Sequence, residues 1–219
     1  MTIRCSAIVL AGGKSSRIGT DKALLSIPGN PTIIQTVVGK LQTVSDDVIV
    51  VTRGRKYLDL DVRWASDIYP DGGPLAGIHA GLLVAKNSHA LVIACDMPFV
   101  SLQLLEYMVK VPRNYDILIP KLKAGVEPLH AIYSRRCLDP IAKRLQNHCL
   151  QTLGLLNDVI VHYLQERTIR KFDPNLQSFH NVNTWENYRE AARAGNHPLP
   201  QKKLSETRRI GSGWNDPTI

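Results

Sequence analysis

Short apolar runs rich in β-branched residues recur along this chain, separated by longer stretches in which apolar residues return every three or four positions. The runs Ser6–Ala11, Asp47–Thr52, Val62–Ala65, Ala90–Cys95 and Asp116–Pro120 predict strands. The stretches Thr32–Val44, Pro74–Lys86, Leu102–Val111, Cys137–Gln146 and Trp185–Ala194 predict helices. Strands and helices alternating in this way argue for an α/β domain with a mostly parallel sheet covered on both faces. Ligands of such sheets bind beyond the carboxyl ends of the strands. That rule brings four separated stretches toward one crevice: the loop after the first strand, Thr52 closing the second, Asp67 after the third and Asp96 after the fourth.

The loop after the first strand holds the densest chemistry. Leu10-Ala-Gly-Gly-Lys-Ser-Ser-Arg-Ile-Gly-Thr-Asp-Lys22 has two adjacent glycines and then Lys14, Arg17 and Lys22 within nine residues. Gly12 and Gly13 leave no Cβ in the way, so successive backbone N–H groups can converge on phosphate oxygens. Arg17 adds a planar fork and Lys22 a compact charge, together able to neutralise charge developing between two phosphates. A glycine turn with solvated cations would account for any one of these features; their combination behind a strand favours a nucleoside triphosphate site. A Walker loop would require a glycine separated by four residues from Gly13-Lys14-Ser15, and a dinucleotide fingerprint would require Gly-x-Gly-x-x-Gly. Neither is present.

Asp96 follows an apolar strand and precedes Met97-Pro98. A turn aspartate is common before proline. In one crevice with the glycine loop, the better reading is a carboxylate that bridges a divalent cation to a phosphate. Oxygen donors favour Mg²⁺ over a softer ion. His130, in the strand-like Val126–Tyr133, reads as structural in preference to a substrate contact. Asn181 and Asn183 flank Val182, so their amides point to one side.

Composition narrows the setting. At 219 residues the chain suffices for one ample domain, expected to span 1–195. Beyond Gly195 come three prolines, two glycines and four basic residues against Glu206 and Asp216. Residues 196–219 read as a basic tail, with docking on a partner and plain disorder both open. Apolar runs such as Leu91–Cys95 are far shorter than a membrane span, and Met1–Arg4 leads straight into a strand; a soluble, cytoplasmic protein with no membrane partner is expected. Cys5, Cys95, Cys137 and Cys149 are scattered, which fits reduced thiols better than a disulfide framework or zinc site. The formal net charge of +8 suits phosphorylated small molecules or an acidic partner; with only 6% aromatic residues and dispersed cations, nucleic acid is not expected.

The glycine-loop segment resembles the Leu-Ala-Gly-Gly-x-Ser-x-Arg-Met-Gly-x-Asp-Lys signature of nucleotidyltransferases, most closely that of the molybdenum cofactor guanylyltransferases, with Ile18 where methionine is usual. Gly73-Pro74-Leu75-Ala76-Gly77, Cys95-Asp96-Met97-Pro98 and Asn181-Val182-Asn183-Thr184 resemble further segments of that family, in the same order. The resemblance covers residues 5 to about 194 and implies a Rossmann-like, three-layer nucleotidyltransferase fold. It also implies a nucleotide site of Leu10, Ala11, Gly12, Gly13, Lys22, Thr52, Asp67, Pro74, Leu75 and Asp96, with the Pro74–Gly77 segment at the guanine base. Arg17, Lys22 and Asp96 would carry catalysis, Asp96 holding Mg²⁺, and Asn181 and Asn183 would face the pterin substrate. The implied reaction joins GMP from GTP to molybdenum-bearing molybdopterin and releases pyrophosphate, with molybdopterin-handling or acceptor proteins as candidate partners. A cytidylyltransferase for the same pterin, a sugar-phosphate nucleotidyltransferase and a non-catalytic carrier of the cofactor stay open as alternatives.

Overall fold

The computed structural model describes residues 4–12, 31–53, 60–69 and 71–182. Among them, eight strands form one sheet in the order β3 (Arg63–Ser66), β2 (Val48–Thr52), β1 (Ser6–Leu10), β4 (His89–Ala94), β7 (His130–Ser134), β5 (Ile117–Leu122), β6 (Gly125–Val126). β8 (Val161–Gln165) runs along the other edge of β5. β1 to β4 are mutually parallel, as an α/β reading requires. β7 runs antiparallel between β4 and β5, so the sheet is parallel at its centre and mixed toward β5. The other predicted strands and helices that lie among the described residues fall within one or two residues of those observed, but the strand-like Val126–Tyr133 is divided: Val126 ends β6, a turn follows, and β7 begins only at His130; β8 had no clear sequence signal. The expected helix Trp185–Ala194 and the 196–219 tail lie outside the described residues.

Alternation of side chains across β1 sorts the core into two layers. Ala7 and Val9 pack with Ile34, Val37 and Leu41 of α1 (Ile33–Gln42) and with Leu104, Leu105 and Met108 of α3 (Leu102–Lys110). Ile8 packs on the opposite face with Leu75, Ile78 and Leu82 of α2 (Gly73–Val84) and with Ile141 and Leu145 of α4 (Leu138–Gln146). This is the three-layer arrangement anticipated above. Helix starts are specified locally. Thr32 and Gln35 form a reciprocal capping box on α1, and the Ser101 hydroxyl accepts the Leu104 N–H on α3.

α2 approaches the sheet unusually closely because of its glycines. A Cβ on Gly81 would lie 2.7 Å from two carbons of Ile8, itself fully buried and β-branched. Gly81→Ala therefore trades a small gain in helix propensity for a larger overpacking penalty, about 1–3 kcal/mol. Thermal unfolding should register a fall of roughly 2–4 °C per kcal/mol for a chain of this size; a variant as stable as the parent would contradict the close packing of α2 on β1.

Candidate active site

The carboxyl ends of β1, β2 and β4 are joined where their loops begin. Ala11 N–H donates to the Val51 carbonyl at 2.9 Å, and Cys95 N–H donates to the Leu10 carbonyl at 3.1 Å. Leu10, Ala11 and Gly12 thus stand between Thr52 on one side and Cys95-Asp96 on the other. Thr52 is buried; Asp67, just past β3, is half-buried. Gly13, Arg17, Lys22 and Asn183 lie outside the described residues.

Asp67 occupies a polar position with an unmet need. Its Oδ1 is buried without a hydrogen-bond partner, and lies 3.7 Å from where a Cβ on Gly77 would project. Burial pushes this carboxyl above its usual value, against the opposing charge of Arg53. An acceptor left in this state costs free energy unless a ligand donor completes it. Gly77 is what lets α2 settle here, because a Cβ would come within 3.0 Å of Leu10 Cδ2. Pro74 is exposed in the first turn of α2, while Leu75 is fully buried, so a ligand contact at Leu75 would come from its backbone.

Arg53 is a cation that no sequence motif marks. It follows Thr52 directly, its Cγ lies 3.5 Å from the Cβ position of Gly12, and its guanidinium reaches Asp71 at 3.7 Å. Parallel pairing of β1 with β2 creates this neighbourhood, which is why an arginine after a strand carries no signal on its own.

Asp96 is half-buried at the head of a loop held from several directions. Its carbonyl accepts the Val182 N–H at 2.8 Å, which brings exposed Asn181 beside it. Lys40 Nζ donates to the Pro98 and Val100 carbonyls at 2.9 and 3.0 Å, and Ser101 N–H donates to Ser178 Oγ at 2.9 Å. Burial lowers the Lys40 pKa, with Asp173 opposing it. The backbone around Asp96 is therefore preorganised from α1 and from residues 178–182.

His130, read above as structural, lies within the core. It is fully buried beside Phe179, at a ring separation of 4.9 Å, and burial pushes its pKa down to about 4, so the ring is neutral near pH 7. Cys95 is half-buried and forms no disulfide. Among the described residues, no three His, Cys, Asp or Glu side chains gather as a metal cage. A single carboxylate still fits Mg²⁺, which takes most of its oxygens from phosphates and water. No helix among the described residues is long and apolar enough to cross a membrane.

A central parallel sheet with a glycine-headed first loop and carboxylates past its third and fourth strands defines an α/β nucleotide-binding protein. Residues 7–158 match the family model described as the MobA-like NTP transferase domain. The probable molybdenum cofactor guanylyltransferase of Pelotomaculum thermopropionicum is 36% identical over 183 residues, covering 83% of this chain and 89% of that protein. The molybdenum cofactor guanylyltransferase of Desulfosudis oleivorans is 34% identical over 191 residues, covering 86% and 95%. Among solved structures, molybdopterin-guanine dinucleotide biosynthesis protein A from Archaeoglobus fulgidus superimposes with a TM-score of 0.75 at 29% identity, covering 87% of this chain and 98% of that one. The chain belongs to the MobA-like NTP transferase family and is a nucleotidyltransferase.

Proposed function

We propose that this protein transfers GMP from GTP to molybdenum-bearing molybdopterin, forming the guanine dinucleotide form of the cofactor in the cytoplasm. The observation that carries the reading is the placement of Gly12, Asp67 and Asp96 past the carboxyl ends of β1, β3 and β4, all on one end of a single parallel run of four strands, in a chain whose relatives bear that name. Leu10 to Gly13, Thr52, Asp67, Pro74, Leu75 and Lys22 take the nucleotide. The unpartnered Asp67 oxygen suits the N–H donors of guanine or a ribose hydroxyl.

The terminal phosphate of molybdopterin attacks the α-phosphorus of GTP; a new P–O bond forms as the bond to the β-phosphate oxygen breaks, and pyrophosphate leaves. That phosphate is already a nucleophile at neutral pH, so no general base is required. Arg17, Lys22 and the Gly12–Gly13 amides align the phosphates and neutralise the charge that develops on them. Asp96 holds Mg²⁺, which supplies Lewis-acid stabilisation at the α-phosphate. Asn181 and Asn183 face the pterin substrate. The transferase unit takes residues 1–195, with molybdopterin-handling or acceptor proteins as its candidate protein partners.

Calorimetric titration of GTP, with CTP and ATP as competitors and with and without Mg²⁺, tests this directly. Metal-dependent binding selective for GTP is the expected result. A preference for CTP would change the product to the cytosine dinucleotide, and no nucleotide binding would remove the reading altogether.

A further inference from the structure

Strand order divides the crevice at Asp96. β1, β2 and β3, with α2, lie on one side and carry the residues assigned to the nucleotide; β7 and β5 lie on the other. With the reacting phosphorus at Asp96, the acceptor falls to the β7 side. This step rests on the guanylyl-transfer reading above.

Because β7 is antiparallel to β4, its first residue His130 pairs with Ile93 at the carboxyl end of β4. The turn that precedes it, Glu127–Leu129, therefore sits at the crevice edge. Leu129 carbonyl accepts the Ala94 N–H at 3.0 Å, two residues before Asp96. Further bonds fix the same turn: Glu127 N–H to the Pro120 carbonyl at 3.1 Å, His130 N–H to the Glu127 carbonyl at 3.1 Å, and the hydroxyl of fully buried Tyr133 to the Pro128 carbonyl at 2.8 Å. Glu127 is thus mounted on a rigid base.

Its side chain is left over. Glu127 is half-buried, and among the described residues its carboxylate takes no hydrogen bond and no ion pair; burial alone pushes its pKa up. A partly desolvated carboxylate with no protein donor is unfavourable, and one held this firmly suits a ligand that supplies the donors. A carboxylate repels the acceptor's phosphate, whereas the acceptor's uncharged ring offers N–H donors.

We propose that Glu127 reads the pterin ring of the acceptor, its two carboxylate oxygens accepting the adjacent ring N–H and 2-amino donors of the 2-amino-4-oxopyrimidine edge. Two parallel charge-assisted bonds of this kind match a planar pair of donors and reject a ring that places an oxygen at position 2. Glu127 is in this view a specificity-determining residue and takes no part in the transfer step.

The test uses the full chain and the substitution Glu127→Gln, which is close in size and replaces one acceptor with a donor. Steady-state kinetics should show the KM for molybdopterin raised roughly 10–100-fold, with kcat at saturation little changed. The calorimetric dissociation constant for GTP should stay within about twofold, because the nucleotide lies across Asp96. Pterin and its 2-oxo analogue lumazine, used as competitive inhibitors, should favour pterin in the parent and lose or reverse that preference in Glu127→Gln. An unchanged KM for molybdopterin, a parallel loss of GTP binding, or equal inhibition of the parent by pterin and lumazine would each overturn the proposal. Absence of GTP-dependent turnover of molybdopterin by the parent protein would be a different failure, that of guanylyl transfer itself.

Discussion

Asp96→Ala should lower kcat by about 10³-fold while leaving the folded protein intact, because the charge stabilisation lost at the reacting phosphate amounts to several kcal/mol. The asymmetry between activity and stability follows from how the loop is built. The bonds that tie it to α1 and to residues 178–182 use the loop's own backbone: the Asp96 carbonyl with Val182, the Pro98 and Val100 carbonyls with Lys40, and the Ser101 N–H with Ser178. All of these survive truncation of the Asp96 side chain. The melting temperature should therefore move by no more than about 2 °C, the range of a tolerated substitution. Mg²⁺-dependence of GTP binding should vanish in the same variant. Near-parental turnover with that dependence intact would exclude Asp96 from the metal site.

The parts of this molecule that a sequence reveals are those whose side chains answer to one environment. β1 and β4 are buried on both faces, so Ser6–Leu10 and His89–Ala94 stand out as compact, largely apolar runs. Asp67 and Asp96 are placed by the same strands, each lying just past the carboxyl end of a parallel strand, where ligands of such sheets bind. β8 is different. It is an outer strand in which only Leu164 is buried, and a strand wetted on most of its positions has no periodicity to detect. β6 is two residues long, below any pattern. The antiparallel direction of β7 depends on which strand it meets, a long-range fact absent from Val126–Tyr133 itself. Arg53 and Glu127 fall in the same class: each gains its meaning from a neighbour far along the chain, Arg53 from Gly12 and Glu127 from Ala94 by way of Leu129.

The opposite end of the same strands predicts the opposite phenotype. Asp47, fully buried at the amino end of β2, accepts from Ser6 Oγ at 2.6 Å, from Lys86 N–H at 2.8 Å and from Arg63 Nη1 at 2.8 Å. Asn87 in turn donates to Ser6 Oγ through its backbone N–H at 3.1 Å and its side-chain amide at 3.2 Å. One carboxylate thereby ties β1, β2, β3 and the connection from α2 to β4, at the end of the sheet away from the crevice. Asp47→Ala leaves buried donors unmet, although Arg63 can turn to water, and should cost about 3 kcal/mol. At roughly 2–4 °C per kcal/mol, the melting temperature falls by about 6–12 °C, while the kcat of the folded fraction at low temperature stays at the parental value. Burial pushes the Asp47 carboxyl up, but the Ser6, Lys86 and Arg63 donors outweigh it and hold it below the ordinary value. A folded pKa below the unfolded one means the contribution is complete above about pH 4, the unfolded aspartate value, and is lost as pH falls through the lower folded value. Melting curves between about pH 6 and pH 3 should accordingly show a steeper acid loss in the parent than in Asp47→Asn, which keeps one acceptor and cannot titrate. Identical acid limbs in the two proteins would mean that Asp47 does not hold this edge by charge.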